Sequence, residues 1–418
     1  MSAESYPVNN PPHVAAKQAL SSKFLLFFAL FANACGHTFF LISFPLTARY
    51  LGYSDQQAGM ILGLSALVIT LATPIWGQLC ERFGRRRILL SGLTLACLTL
   101  IALATSVISA WLALLAASSA FTLIFVLRLV TSLASGALMP AAQAYIADTT
   151  SREQRTRGMA HMAAAFGGGS ILGGTVASIS GLDHLWLGYV FATVLLLLAT
   201  LICWQRLPDS QPATISTPIR QPSSRHLLRY WLTTLLGLSC YSLMQQTTGL
   251  RLQDSFAFTT DQALRSGSAA ISAAMLLMVI TQAWLVARLP WLPENKLRAG
   301  AAACLICALL ALLPSLVSFI SAIVLFGLAL GLLLPANLSL MSLNSRCDQQ
   351  ARNAGINGVF QGLGLASGPL LGSQLQPLSA HAPWLALLVI TALLLLLSRS
   401  ARVATSPDFP TPTKQTGN

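Results

Sequence analysis

Residues 77–87 read GQLCERFGRRR, a short charged stretch between two long apolar runs. The run before it covers about 57–79, and the run after it covers about 88–110. A helix needs about 20 apolar residues to cross the hydrocarbon core of a membrane, and both runs reach that length. The stretch is therefore predicted to be a loop between two membrane-spanning helices.

The same alternation of apolar runs and short polar loops continues along the 418 residues of the chain. Hydrophobic side chains make up 55% of it and charged side chains only 9%, whereas soluble domains carry about 25% charged residues. This composition excludes an ordinary water-soluble enzyme and also a disordered chain, which needs much charge and few apolar residues. We predict an all-α membrane protein with twelve transmembrane helices, near 24–48, 57–79, 88–110, 118–147, 158–180, 185–204, 230–252, 266–288, 299–315, 317–343, 353–376 and 383–399.

A stretch rich in Pro, Ser, Thr and Gln, at 205–228, divides the twelve runs into two sets of six and is predicted to be a linker. The first apolar run is too long for the core of a cleavable signal peptide, so we expect it to remain as a span. The predicted organisation is an N-terminal tail, a six-helix bundle, the linker, a second bundle and a C-terminal tail, at 1–23, 24–204, 205–229, 230–400 and 401–418.

The positive charges of the loops lie almost entirely on one side. If both termini share a side, then among the loop arginines and lysines only Arg49, Arg251 and Arg265 fall on the other side. Cytoplasmic loops carry the excess of Lys and Arg, so both termini and the linker are predicted to be cytoplasmic, as expected for a bacterial inner membrane. The net charge of +13 then requires no nucleic-acid partner.

The two sets of six runs resemble each other. The fourth run contains GALMP at 136–140, and the tenth contains GLLLP at 331–335. Small residues also recur at steps of about four in the fifth run, at 165–174, and in the eleventh, at 364–372. Repeats in the same orientation favour two pseudo-symmetric bundles that meet around a central path.

The loop at 77–87 resembles the GxLaDrxGrr signature of the major facilitator superfamily, and its position after the second span also matches. The resemblance extends over all twelve spans and points to the drug:proton antiporter branch. It implies the superfamily's fold of two pseudo-symmetric six-helix bundles. It also implies that Glu81, where the family usually has Asp, holds the cytoplasmic side closed by interacting with a helix end of the other half. The gating loop and its implied charge pair comprise Gly77, Glu81, Arg82, Gly84, Arg85 and Asp148.

The fifth run resembles the family's antiporter motif, gxxxGPxxGG. Three glycines match, and Ala165 and Ser170 stand where the motif has Gly and Pro. Small residues one turn apart form a smooth stripe against which a neighbouring helix packs closely. The resemblance implies an exporter, and tight packing without directional meaning is the alternative. The matching glycines are Gly169, Gly173 and Gly174.

One arginine, Arg128, lies inside the fourth span and begins a version of the family's RxxxG element in which Ser132 replaces the glycine. At 1.5 Å per residue it lies roughly 13 Å from the outer helix end, near the middle of a ~30 Å hydrocarbon core. A charge there costs about 2.5–3.5 kcal/mol. We therefore expect Arg128 to face water, a partner or a substrate. A structural arginine bonded to helix carbonyls is the alternative.

None of the twelve acidic residues lies clearly at mid-membrane depth, where His37 is the titratable candidate. Its ordinary pKa of about 6.5 suits proton exchange. A path with Arg128 and no fixed negative charge favours anionic or zwitterionic cargo. Further polar residues of the spans are candidates for the same path, although such residues also serve as hydrogen-bonding groups between helices. They are Asn33, Gln245, Gln246, Asn357 and Gln361.

No P-loop, GxSxG or HExxH motif occurs in the sequence. We therefore expect no enzymatic activity, no cofactor and no metal. The prediction is a secondary active transporter that works by alternating access as a monomer in the inner membrane. It would export a drug or an amphipathic or anionic metabolite, with siderophores as one candidate class, in exchange for protons. Uptake of an organic anion or vitamin is the alternative, and a transport-inactive receptor or scaffold is a remote one. The expected partners are a small-molecule cargo, protons and the lipid bilayer.

Overall fold

The computed structural model describes residues 12–149, 152–209, 227–345 and 349–400, and within these ranges it contains helices and no strands. A π-helical turn, Thr281–Leu285, joins the helix Thr260–Ile280 to the short helix Val286–Arg288. In chain order the helices are α1 (Pro12–Tyr50), α2 (Asp55–Phe83), α3 (Arg85–Trp111), α4 (Ala117–Ser135), α5 (Leu138–Thr149), α6 (Arg152–Ser180), α7 (Leu185–Arg206), α8 (Leu228–Phe256), α9 (Thr260–Ile280), α10 (Val286–Arg288), α11 (Pro293–Leu312), α12 (Leu316–Leu343), α13 (Gln350–Leu375) and α14 (Ala382–Arg399).

The helices have the length and composition of membrane spans. Ten segments of the described chain are long and apolar enough to cross a membrane, with α4 and α5 counted as one segment. Helices α8 and α13, which carry many polar side chains, complete the predicted twelve. Large apolar side chains remain exposed on the outside, for example Val194 and Leu197 of α7, as expected for a surface in contact with lipid. The predicted all-α membrane fold is confirmed.

The twelve spans form two bundles of the same design, α1–α7 and α8–α14. In the first bundle α6 lies so close to α1 that a Cβ atom on Gly169 would overlap the carbonyl of Phe31. In the second bundle α13 lies against α8 in the same way, and a Cβ atom on Gly364 would contact the carbonyl of Leu235. The repeated small residues therefore mark equivalent helix pairs of the two halves.

The two halves differ at the fourth and tenth spans. The fourth run contains a break, because α4 ends at Ser135 and α5 begins only at Leu138. Pro140 has no N–H for the carbonyl of Gly136, and glycine is itself a weak helix former, so the hydrogen-bond ladder opens there. The tenth span, α12, continues as one helix through Pro335.

The first helix begins before the predicted first span. Helix α1 begins at Pro12, inside the stretch predicted as an N-terminal tail. The N-terminal residues 1–11, most of the predicted linker (210–226) and the predicted C-terminal tail from 401 onward lie outside the described residues.

Candidate transport pathway

The two bundles are joined at the end remote from the chain termini, which we call the far end. Arg49, in the last turn of α1, donates from Nη1 and Nη2 to the two carboxylate oxygens of Asp254 on α8, at 2.7 and 2.9 Å. Its Nε also donates to Asp55 Oδ1 at the start of α2, at 2.6 Å. Gln376, just after α13, donates from Nε2 to Asp254 at 2.8 Å. This Arg49 network ties α1 and α2 to α8 and α13.

A second set of contacts joins α6 to α9 at the same end. Arg265 of α9 donates to the carbonyl oxygens of Ile179 and Ser180, at 2.7 and 3.2 Å. Asp261 accepts hydrogen bonds from the backbone N–H of Leu182, at 2.8 Å, and from Arg265 Nε, at 2.7 Å. Hydrogen bonds and ion pairs therefore connect the two bundles at the far end in two places. One place joins α1 and α2 to α8 and α13, and the other joins α6 to α9.

The bundles separate toward the opposite end, which carries the chain termini and is called the terminal end. On the far-end side α2 touches α13, and a Cβ atom on Gly63 would overlap the side chain of Leu370. On the terminal side, Gly77 of α2 and Gly358 of α13 have no described atom of another element within 4 Å of that position. The central path is thus closed at the far end and spread at the terminal end.

Arg128 lies on α4, inside the first bundle, and is buried. Its Nη2 is 3.1 Å from Nδ1 of His37 on α1, and its guanidinium carbon is 4.5 Å from the ring centre of Phe40. The residue is 1% exposed, and no carboxylate of the described chain forms an ion pair with it. Arginine only donates hydrogen bonds, so Nδ1 of His37 must be the unprotonated nitrogen of a neutral ring.

A second polar contact joins the same two spans one turn earlier. Asn33 Oδ1 of α1 accepts a hydrogen bond from Ser135 Oγ at the end of α4, at 3.0 Å. Asn33 and His37 are half-buried, whereas Ala34 and Cys35 between them are completely buried. Arg128 and His37, and one turn earlier Asn33 and Ser135, are therefore polar contacts between α1 and the fourth span, and the half-buried His37 lies next to the fully buried arginine.

Gln245 and Gln246 lie on α8, at the boundary between the bundles. They line a narrow cavity of about 10 Å³ with residues of α1 and α9, among them Pro45 and Ser268. This volume holds about one water molecule. The side-chain amide of Gln246 and the Ser268 hydroxyl have no hydrogen-bond partner in the described chain. The two glutamines, predicted as candidates for the central path, thus lie at the boundary between the bundles, whereas Arg128 lies inside the first bundle.

Asn357 and Gln361 lie elsewhere. Asn357 is 4% exposed and accepts a hydrogen bond from Thr234 at 2.8 Å, next to Asn337, which also donates to Thr234. This group binds α8, α12 and α13 to one another, so Asn357 serves here as a hydrogen-bonding group between helices. Gln361 of α13 is exposed.

The charged loop after α2 turns at Gly84, whose φ of +94° lies in the region that favours glycine. Arg85 directly after it lies with its Nε 2.9 Å from Asp148 Oδ2 of α5, and both side chains are largely buried. Glu81 and Arg82 are exposed. Because the bundles are spread at this end, no described atom of the other half lies within 4 Å of the Cβ position at Gly77.

The glycines of α6 have two different neighbours. A Cβ atom on Gly173 would overlap the carbonyl of Cys35 on α1, in the same bundle, as it would at Gly169. A Cβ atom on Gly174 would overlap the hydroxyl of Ser272 on α9, in the other bundle. This stripe therefore fixes one helix pair within a bundle and one across the boundary.

The far-end contacts were not predicted from the sequence. Arg49, Arg251 and Arg265 were the few arginines assigned to that side, and two of them join the bundles there. The sequence feature that could have indicated these ion pairs is the presence of Asp55, Asp254 and Asp261 in the same short loops as the arginines. The partner of each charge could not be assigned without the fold.

Comparison with known proteins gives the family. The model of the Major Facilitator Superfamily matches residues 26–369. Multidrug resistance protein 2 of Bacillus subtilis (strain 168) is 25% identical over 367 residues, covering 82% of this chain and 85% of that protein. Tetracycline resistance protein, class C, of Escherichia coli is 32% identical over 154 residues, covering 36% of each. The structure of a bacterial homolog to the human lysosomal transporter Spinster, in an inward-facing and occupied conformation, aligns with a TM-score of 0.68 at 14% identity, over 94% of this chain and 98% of that one. The chain belongs to the Major Facilitator Superfamily, and it is a membrane transporter and not an enzyme.

Proposed function

We propose that this protein is a secondary active transporter that exports a small organic molecule in exchange for protons. Both termini would lie in the cytoplasm of a bacterial cell, because nearly all loop arginines and lysines lie at the terminal end. The spread end of the bundles would then be the cytoplasmic end, from which an exporter takes its cargo. The similarity to proteins named for multidrug and tetracycline resistance supports export.

The cargo class is proposed from one observation: Arg128 is buried, pairs with no carboxylate among the residues that the structure describes, and is hydrogen-bonded to a neutral histidine. A buried guanidinium favours a negatively charged partner, since a charge without one is costly in the low-dielectric core. The cargo would therefore be a carboxylate or a zwitterion, a class that includes siderophores and amphipathic drugs, and it would bind as the carboxylate approaches Arg128 from the side of His37.

His37 is the proposed proton carrier. A proton on Nδ1 would turn the acceptor of the Arg128 hydrogen bond into a donor and place two positive charges about 3 Å apart. Protonation would thus detach His37 from Arg128 and favour a second arrangement of α1 and α4. A cargo carboxylate would bind the same arginine. Protonation of His37 and binding of the cargo would thus both change the surroundings of the Arg128 guanidinium, one after the other, as an exchange mechanism requires.

The experiment uses a matched pair of variants, His37→Gln and His37→Ala, in proteoliposomes with a pH gradient. Glutamine keeps a neutral acceptor for Arg128 but cannot carry a proton. We expect His37→Gln to bind cargo and to lose at least tenfold of cargo-driven proton movement. We expect His37→Ala to lose both. Proton movement that is undiminished in both variants would exclude His37 as the carrier.

Uptake of an organic anion is the alternative that the departures in α6 favour, because Ala165 and Ser170 replace two residues of the exporter motif. Transport direction separates the two. In inside-out vesicles that are acid inside, an exporter accumulates cargo in exchange for protons. An importer coupled to protons does not. A receptor or scaffold would keep its cellular phenotype in Arg128→Gln.

A further inference from the structure

Arg251 of α8 is a second buried arginine that the transport pathway does not use. It lies five residues before the end of its helix and is 0% exposed. Its Nε, Nη1 and Nη2 have no hydrogen-bond partner in the described chain. Arg128 is bonded to His37, and Arg265 is paired with Asp261. The full set of guanidinium donors of Arg251 is thus buried and unpaired.

The surroundings of Arg251 supply rings and one more donor. Its guanidinium carbon lies 5.0 Å from the ring centre of Phe319 on α12 and 5.3 Å from that of Trp384 on α14. The two rings meet edge to face at 4.9 Å. The indole Nε1 of Trp384, a residue 1% exposed, also has no hydrogen-bond partner in the described chain. Ring faces attract the positive charge, but they do not accept the N–H groups along the guanidinium edge.

No acid of the described chain pairs with Arg251. Asp254 is the acid one turn later on α8, and its carboxylate is bonded to Arg49 and Gln376. Guanidinium and indole groups are donors only. A buried cluster of donors that has a positive charge and no acceptor is complementary to an anion. We infer that a chloride-sized anion binds between α8, α12 and α14, held by the Arg251 guanidinium and the Trp384 indole.

The size of the anion follows from the enclosure. Arg251 is shielded from solvent, and the Phe319 ring beside its guanidinium packs against the rings of both Trp384 and Phe256. Because both donors are fully buried, the site favours a small ion over an organic acid or a lipid headgroup, and a doubly charged sulfate loses more hydration energy than a monovalent ion on entering it. The site is also separate from the cargo path, because Gln246 on α8 faces α1 and α9 whereas Arg251 faces α12 and α14. The anion would fix the far ends of three helices of the second bundle.

The test is thermal unfolding of the purified full-length protein in sodium chloride, sodium gluconate or sodium sulfate at equal ionic strength. A ligand that binds only the folded state raises the melting temperature. We expect chloride to raise it by about 2 °C or more relative to gluconate, whereas sulfate, which stabilises proteins by exclusion from their surface, should act equally on the unmodified protein and on Arg251→Met. Arg251→Met should abolish the chloride effect. Trp384→Phe keeps the ring and removes the N–H, so it should raise the half-saturating chloride concentration several-fold.

The matched control is Arg288→Met, which removes an exposed arginine that also lies over a tryptophan ring, 4.4 Å from the centre of Trp284. It should keep the full chloride effect. Crystals grown in bromide should give an anomalous peak within about 3.5 Å of an Arg251 nitrogen. If Arg251→Met does not fold, Trp384→Phe and the bromide peak decide. The inference is overturned if chloride and gluconate give the same melting temperature, if Trp384→Phe responds to chloride like the unmodified protein, or if the bromide lies elsewhere. It does not depend on the proposed export function.

Discussion

Arg49 and Asp254 form a two-bond ion pair across the two bundles, although 205 residues separate them in the chain. Their side chains are 24% and 31% exposed, and each has a further partner, Asp55 and Gln376 respectively. The far end cannot open unless this pair breaks. The network therefore contributes directly to the free-energy difference between the two conformations of an alternating-access cycle.

The first prediction concerns this pair. Asp254→Asn removes the charge that holds Arg49 and weakens the hydrogen bonds, which are worth about 1.5–3 kcal/mol when one partner is charged. We expect the ratio of far-end-open to far-end-closed molecules to rise roughly tenfold or more. Double electron–electron resonance between spin labels on the far ends of α1 and α8 measures this ratio.

Asp209→Asn is the matched control. Asp209 pairs with Arg86 at 3.4 Å, but its side chain is 83% exposed, and the pair joins α3 to the residues just after α7 without crossing to the second bundle. Exposed pairs contribute about 0.2–1 kcal/mol. This variant should leave the distance distribution unchanged. An unchanged distribution in Asp254→Asn as well would mean that the Arg49 network does not hold the far end closed.

The second prediction concerns the close packing of α6 on α1. Gly173→Ala would place a Cβ atom against the backbone of Cys35 and Phe39, which cannot move aside easily. Overpacking of this kind costs about 1–3 kcal/mol. Gly358→Ala, on α13, meets open space and also gains helix propensity. Thermal unfolding in detergent should give a lower melting temperature for Gly173→Ala only. Equal melting temperatures for both variants would disprove the tight helix contact.

The third prediction concerns the charged loop. The Arg85–Asp148 pair is buried, with side chains 10% and 6% exposed. Removing one partner of a buried pair costs about 3–5 kcal/mol, because the other charge is left uncompensated. Asp148→Asn should therefore lower the melting temperature strongly, and Arg85→Leu combined with Asp148→Leu should restore part of it.

Glu81→Gln, in the same loop, provides the comparison because Glu81 is exposed in this conformation. It should leave the melting temperature unchanged. If Glu81 holds the cytoplasmic side closed in the other conformation, as its motif implies, the same variant should increase the fraction of molecules open at the terminal end. A large loss of stability in Glu81→Gln would assign it a structural role instead.

The helical spans and the position of Arg128 inside one of them could be predicted because they depend on local properties of the sequence. Apolar runs of sufficient length define the spans, and a charge inside one of them is visible at once. The partner of Arg128 was harder to find. His37 was identified by its depth in α1, but the hydrogen bond between the two residues depends on how α1 and α4 pack, which the sequence pattern does not specify.

Asn357 and Gln361 show why the sequence pattern alone does not identify the residues of a cargo path. Asn357 and Gln361 lie one turn apart on α13, so their spacing predicts a shared face. In the structure Asn357 is bonded to Thr234 inside the second bundle, and Gln361 is exposed. A polar residue that binds a neighbouring helix and one that faces a cargo path have the same sequence signal. Only the position of the neighbouring helix distinguishes the two roles.

The central claim is that the buried charge of Arg128 selects the cargo. Comparing the transport rates of anionic, neutral and cationic compounds of similar size tests it most directly. The measurement is initial transport in proteoliposomes of a quinolone carboxylate, its methyl ester and a lipophilic cationic dye of similar size, with the unmodified protein, Arg128→Lys and Arg128→Gln. We expect the carboxylate to be carried at least tenfold faster than the ester, because a charge-assisted hydrogen bond is worth about 1.5–3 kcal/mol. Arg128→Gln should lose this preference and Arg128→Lys should keep part of it. Faster transport of the cationic dye, unaffected by Arg128→Gln, would contradict the claim.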